Sequence, residues 1–166
     1  MISKRGIRVK KRWVALPVLL VVIAVGGFIY YRVNYAGYFP HNVRRQVHIA
    51  LYYPVSPPDG LRVDRGSFQV PYQGVVTYTL LDTRGNKFYV SEQTLPASFD
   101  FTAFKAKFET TDEITVPAGN ALVGDLGIEL ISSIQTPQNS WVIVNTPDIT
   151  GQTELEALSR TFIQTN

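Results

Sequence analysis

Apolar residues follow three different spacings along this chain. From Trp13 to Tyr31, WVALPVLLVVIAVGGFIYY, nineteen successive positions carry no charge. As a helix at about 1.5 Å per residue they would extend roughly 28 Å, close to the roughly 30 Å hydrocarbon thickness of a bilayer, so the run predicts a membrane-spanning helix. Trp13 at one end and Tyr30, Tyr31 and Tyr35 at the other stand where amphipathic rings favour the two interfaces. Pro17 falls near the start, where a missing backbone donor costs little. Ala24 and Gly26 have the small-x-small spacing of a cleaved signal peptide, but the apolar run continues through Phe28 and Ile29 instead of turning polar. It therefore reads as an uncleaved signal anchor.

Residues 33–45, VNYAGYFPHNVRR, show neither a helical nor an alternating period and are interrupted by Gly37 and Pro40, which predicts a linker over 32–45. The period of two then begins: Val47, Ile49 and Leu51 alternate with more polar neighbours, predicting a strand over 46–53. It runs into Pro54, Pro57 and Pro58, which cannot donate ladder hydrogen bonds, so the strand ends there and the chain crosses over through Pro58-Asp59-Gly60. Leu61–Val70 and Gly74–Leu81 are strand-like, and DTRGN at 82–86 is a polar turn with Gly85 available for positive φ before KFYVSEQ returns. Further strand signals are EITV, ALVGD, IELISSI and SWVIVNT, the last placing Trp141, Ile143 and Asn145 on one face and Val142, Val144 and Thr146 on the other.

The helical period returns twice. Phe101, Phe104 and Phe108 recur at i, i+3 and i+7, predicting a short helix begun by Ser98 or Asp100 whose aromatic face packs on the sheet. Near the C-terminus Thr153 and Glu156 have the spacing of a capping box, and Leu155, Leu158 and Phe162 the spacing of one helical stripe. The fold class expected is α+β: a single N-terminal transmembrane helix (13–31) behind a tail at 1–12, followed by one antiparallel-sheet domain at 46–166 with seven or eight strands and two short helices.

Charge sharpens the orientation. Residues 1–12 carry six basic side chains and no acid, against Arg32 alone just past the apolar run, which places the N-terminus in the cytoplasm and the remainder outside. From Val33 onward nine basic residues face thirteen acids, so the overall charge of +3 belongs to the tail, where topology and anionic headgroups explain it. The remainder has no basic stripe with interleaved aromatics, and no nucleic-acid partner is expected. The absence of cysteine excludes disulfides, thiolate metal sites and a lipoprotein anchor.

The succession LYYPVSPPDG, GVVTYTLLDTRGNKFYVSEQ, GNALVGD, SWVIVNTP and a closing ELEALSRTF resembles a bacterial extracytoplasmic domain family of unknown function, number 4367. The resemblance covers roughly 47–162. It implies a sheet entered through the proline-rich crossover, a membrane-anchored setting in the bacterial envelope, and no catalytic residues.

Chemical motifs are sparse. Gly119 and Gly124 precede Asp125-Leu126 and not Lys-Ser, so they make no phosphate loop. Asp112 and Glu113 are adjacent and would point to opposite sheet faces. Ser140 lacks a nucleophile-elbow context, and His41 and His48 have no company for a metal site. No enzyme, cofactor or metal is expected. The expectation is a single-pass, membrane-anchored extracytoplasmic binding or sensing module in contact with the lipid bilayer, taking an envelope protein, peptide or lipid ligand. Tyr52, Tyr53, Tyr72, Tyr78, Tyr89 and Trp141 are its candidate contact surface. The alternative is a structural subunit of an envelope assembly. Anchoring predicts that alkaline carbonate washing leaves the full-length chain in the membrane pellet, whereas a soluble species starting near Gly27 would reveal a cleaved signal.

Overall fold

The computed structural model describes residues 20–30, 37–58, 60–146 and 151–165. Residues 20–30 form helix α1, whose apolar side chains, including Leu20, Ile23, Phe28 and Ile29, are more than half exposed. The expected span extends over 13–19 and 31, and the basic tail over 1–12, all outside the described residues. Among the described residues no helix is long and apolar enough to cross a membrane.

The remainder is an α+β domain of nine strands and three short helices. Helix α2 (His41–Gln46) leads to β1 (Leu51–Pro54), then β2 (Arg62–Tyr72), β3 (Val75–Leu81), β4 (Lys87–Thr94), α3 (Phe101–Lys105), β5 (Thr110–Val116), β6 (Gly119–Asp125), β7 (Leu130–Gln135), β8 (Ser140–Thr146), α4 (Gln152–Ser159) and β9 (Phe162–Thr165). Seven strands make one antiparallel sheet in the order β2-β3-β4-β8-β7-β6-β5, and β1 pairs with β9 in a separate ribbon. The sheet is thus two meanders, β2–β4 and β5–β8, joined where β4 meets β8.

Alternation decides which face is inside. Val76, Tyr78 and Leu80 on β3, Phe88 and Val90 on β4, Val142 and Val144 on β8, Ile134 on β7 and Ala121 and Val123 on β6 all point to one face and are buried. That inner face is covered by α2, the β1–β9 ribbon and α4, through Phe39, Val43, Tyr52, Tyr53, Leu155, Leu158 and Phe162. The Asp82–Asn86 hairpin forms as its chemistry dictates: Gly85 has φ 89°, and Asp82 Oδ1 accepts the N–H groups of Arg84 and Asn86 at 2.7 and 2.8 Å.

Four local expectations change. The segment read as a linker contributes α2 and brings Phe39 and Val43, each 1% exposed, into the core ahead of Gln46. The strand expected over 46–53 is confined to Leu51–Pro54, and all four of its residues are buried because the ribbon is packed on its neighbours from both sides. The capping box does not form: Gly151 is the N-cap of α4, and Thr153 lies inside the helix. Phe162 leaves the helical stripe and begins β9, yet it is fully buried, since the chain turns back onto β1.

One buried group is out of keeping with its apolar neighbours. Glu92 on β4 points to the inner face, fully buried, opposite Val76 and Val142. Its Oε2 accepts the Tyr52 N–H at 2.8 Å, while Oε1 finds no donor, because the neighbouring Tyr78 hydroxyl donates to the Tyr52 carbonyl at 3.3 Å. Burial pushes the Glu92 carboxyl up to about 8, against the smaller lowering effect of the Tyr52 N–H. The neutral acid avoids placing a charge in this apolar interior. The unfolded chain titrates near about 4.3, so between there and about 8 the folded protein holds the extra proton. The stability associated with Glu92 is therefore full below pH of about 4 and lost as pH rises through about 8, at no more than about 1.4 kcal/mol per pH unit. Glu92→Gln, which keeps the shape without the charge, should flatten this slope and raise the midpoint of urea unfolding at pH 8; an unchanged slope would remove the buried-acid account.

Candidate functional site

The outer face of the sheet is divided in two. Over the middle of β6–β8 it is covered by the segment around α3, and beside Phe101 a concavity of about 490 Å3 opens on Glu113, Thr115, Asn120 and Gln135. Asp100 caps this helix, its Oδ1 accepting the Ala103 N–H at 3.0 Å. Phe99 and Phe104 then lie 4.7 and 5.9 Å from the ring of Trp141, and Phe108 stands edge-on to Phe104 at 5.2 Å. Gly124 on β6 makes this cover possible: a Cβ there would collide with the Thr110 carbonyl and come within 2.8 Å of the Phe108 ring. Beneath the cover Leu122, Ile131 and Ser133 are buried. The Trp141 Nε1–H donates to Ser133 Oγ at 2.7 Å, which fixes the indole plane.

Over β2–β4 the outer face stays open. A shallow depression of about 310 Å3 there is lined by Ser67 and Gln69 of β2, Thr77 and Thr79 of β3, Tyr89 and Ser91 of β4, and Asn145 of β8. These are neighbours by register, since Thr77 pairs with Ser91, and Thr79, Tyr89 and Asn145 form one cross-strand row. Tyr78 and Val90, whose side chains point to the inner face, complete the lining; its outer-face side chains are hydroxyls, amides and the Tyr89 phenol, with none charged. Two of its members are held in place. Ser67 Oγ accepts the Thr79 N–H at 2.8 Å where β2 shifts register, and Asn145 Nδ2 donates to Glu129 at 2.7 Å. Gln93 beyond Ser91 pairs with Trp141, so the aromatic cover forms the wall of the open area.

The six aromatics expected to make a contact surface separate into two groups. Tyr52, Tyr53 and Tyr78 are core residues, 2%, 9% and 2% exposed, which corrects the expectation for them. They lie in an aromatic cluster: Tyr78 is 4.8 Å from Phe68 and 5.9 Å from Phe39, and Tyr53 is 5.6 Å from Phe39. Burial raises the phenol of Tyr78 well above its ordinary value and that of Tyr53 less so. Tyr89, Tyr72 and Trp141 share the outer face. Tyr89 is 44% exposed in the depression, Tyr72 is 76% exposed at the β2–β3 tip opposite Val75, and Trp141 is half-buried under α3. The polar members of the depression were not singled out from the sequence, although their alternation in TYT and YVSEQ carries the signal. His41 and His48 are exposed and apart from any acid cluster; among the described residues no group of His, Asp and Glu gathers as a metal site would require.

No family model, curated protein or solved structure matches the chain.

Because Trp141 is not on the inner face, its loss should be milder than that of a true core residue. Trp141→Ala removes two ring contacts and one hydrogen bond and should cost about 2 kcal/mol, whereas Leu80→Ala, fully buried, should cost about 3 to 4 kcal/mol. Denaturant titration of both variants measures the order, and equal losses would return Trp141 to the core.

Proposed function

We propose that this chain is a single-pass, membrane-anchored extracytoplasmic binding module of the bacterial envelope, without catalytic activity, and that its open outer sheet face is the binding surface. The observation that carries the reading is the neutral floor of hydroxyl and amide groups beside Tyr89 on that face. Phe99 and Phe104 cover Trp141 on one side of this floor, and the concavity over β5–β7 differs from it in carrying Glu113. A floor of this chemistry suits a neutral, hydroxyl-rich ligand, which hydrogen-bonds through its substituents and lays its C–H faces on an aromatic ring. A glycan segment of the cell wall has this character. Support for the anchor is the uncharged run that includes α1, with six basic residues on one side of it.

The alternative, a structural subunit that assembles through sheet edges, has less support. Edge strand β2 shifts register twice and carries Pro71, and edge strand β5 presents Asp112 and Glu113, features that oppose strand addition.

The test uses the full chain in a detergent without a sugar headgroup, with Trp13→Phe so that Trp141 is the only fluorophore of its type. Titration with a neutral N-acetylglucosamine oligosaccharide should change Trp141 emission saturably, and Tyr89→Ala, at an exposed position, should weaken binding by about tenfold. Emission that does not respond, or a Tyr89→Ala variant that binds equally well, would refute this surface.

A further inference from the structure

A second concavity lies where the chain enters the domain. It has a volume of about 340 Å3 and is bounded by the segment Gly37–Phe39, by Arg44 and Val47 around α2, by Ile49–Leu51, and by Gln164 and Thr165 at the end of β9. Its interior walls are apolar, with Phe39, Val47 and Leu51 buried in the core. Its cationic lining residue is Arg44, whose guanidinium packs 3.4 Å from where a Gly37 side chain would begin. Arg44 is exposed and has no acidic partner among the described residues.

Charge is distributed unevenly around this site. Arg44 and Arg45 form the last turn of α2, His41 opens it, and the helix has no acid in its first turn. From residue 46 onward seven basic residues face thirteen acids, so α2 is a short cationic collar on a domain of net negative charge. The position of that collar is bounded by chain length. Seven peptide links separate Tyr30, the last described residue of α1, from Gly37, and at no more than about 3.6 Å each they reach at most about 25 Å. If α1 belongs to a membrane span, the concavity cannot lie farther than this from the bilayer surface.

We infer that the α2 collar and the concavity behind it dock on the outer leaflet and take the headgroup of an anionic phospholipid, with Arg44 meeting the phosphate and the partly exposed Tyr38, Ile49 and Ala50 facing the glycerol and upper acyl region. Charge complementarity selects the anionic headgroup, and the tether length brings the site to it. The inference rests on the anchoring proposed above and is independent of the ligand on the outer sheet face. Docking would hold the domain in one orientation, with the β1–β9 end toward the bilayer.

The full chain in nanodiscs separates these possibilities. Amide hydrogen exchange is compared between discs of phosphatidylcholine alone and discs containing phosphatidylglycerol, for the wild type and for Arg44→Gln/Arg45→Gln, two exposed substitutions outside the core. The expected result is slower exchange of amides at 43–51 and 164–165 in the anionic discs only, with the difference reduced about fivefold for each cation removed. Equal exchange in both lipids, or a difference that survives in the double variant, would overturn the inference while leaving the anchor intact. The same protection produced by inorganic phosphate in phosphatidylcholine discs would overturn the headgroup assignment in favour of a free-anion site. A chain that does not remain in either disc would remove the anchor and this inference together.

Discussion

The pairing of β4 with β8 is the contact on which the rest of this domain depends. Each meander, β2–β4 and β5–β8, is built from neighbours in sequence and closes through short turns. The seam between them joins Val90 to Val144 and Glu92 to Val142 across fifty residues or more. Only when it forms does either half acquire an inner face wide enough to be covered by α4 and the β1–β9 ribbon. The loop-closure cost of such a pairing must be met by burial on both sides of the seam. The inner side supplies it with aliphatic side chains, and the outer side with Trp141 under the α3 aromatics.

Glu92 occupies that seam, and its position explains how the cover is aligned. A wholly apolar inner face would accept the ribbon in several registers. A single carboxyl oxygen that must take the Tyr52 N–H, with the Tyr78 hydroxyl on the Tyr52 carbonyl, favours one. Ser140 Oγ adds a third tie, donating to the Ala50 carbonyl at 2.9 Å. The Tyr52 hydroxyl, donating to Gln138 in the β7–β8 turn, is a fourth, so directional polar contacts locate the ribbon within a largely apolar interface. The cost is a buried acid in an environment that favours its neutral form.

How far the sequence discloses all this depends on whether the deciding interaction is local. The Asp82–Asn86 hairpin, the Asp100 cap and the two faces of SWVIVNT follow from residues within a few positions of one another, and each takes the form expected. Helix α2 is too short to show a period and is stabilised by Phe39 and Val43 reaching a core assembled far downstream. Phe162 satisfies a helical stripe and a strand equally well; the distant pairing with Pro54 decides for the strand. Tyr52, Tyr53 and Tyr78 look like surface aromatics because their strands could leave one face free, but the ribbon and the sheet bury each other. The polar depression was missed for the converse reason: alternating threonines and serines describe any solvated sheet face. What singles this one out is a lining without a charged side chain beside the Trp141 cover, which depends on α3 and on the glycine at 124.

The closing of the ribbon has a mechanical consequence. Leu51 pairs with Thr165, and Pro54 with Phe162, so the strand by which the chain enters the domain and the strand by which it reaches residue 165 run side by side in opposite directions. A force applied between the tether and residue 165 would act at one end of this pair, perpendicular to the strands, and would open its hydrogen bonds in succession instead of loading them together. The first rupture would expose Tyr52 and Glu92 and leave the seven-stranded sheet paired. A domain closed this way can open its ribbon, and with it the seat of Glu92, before any strand of the seven-stranded sheet has to part.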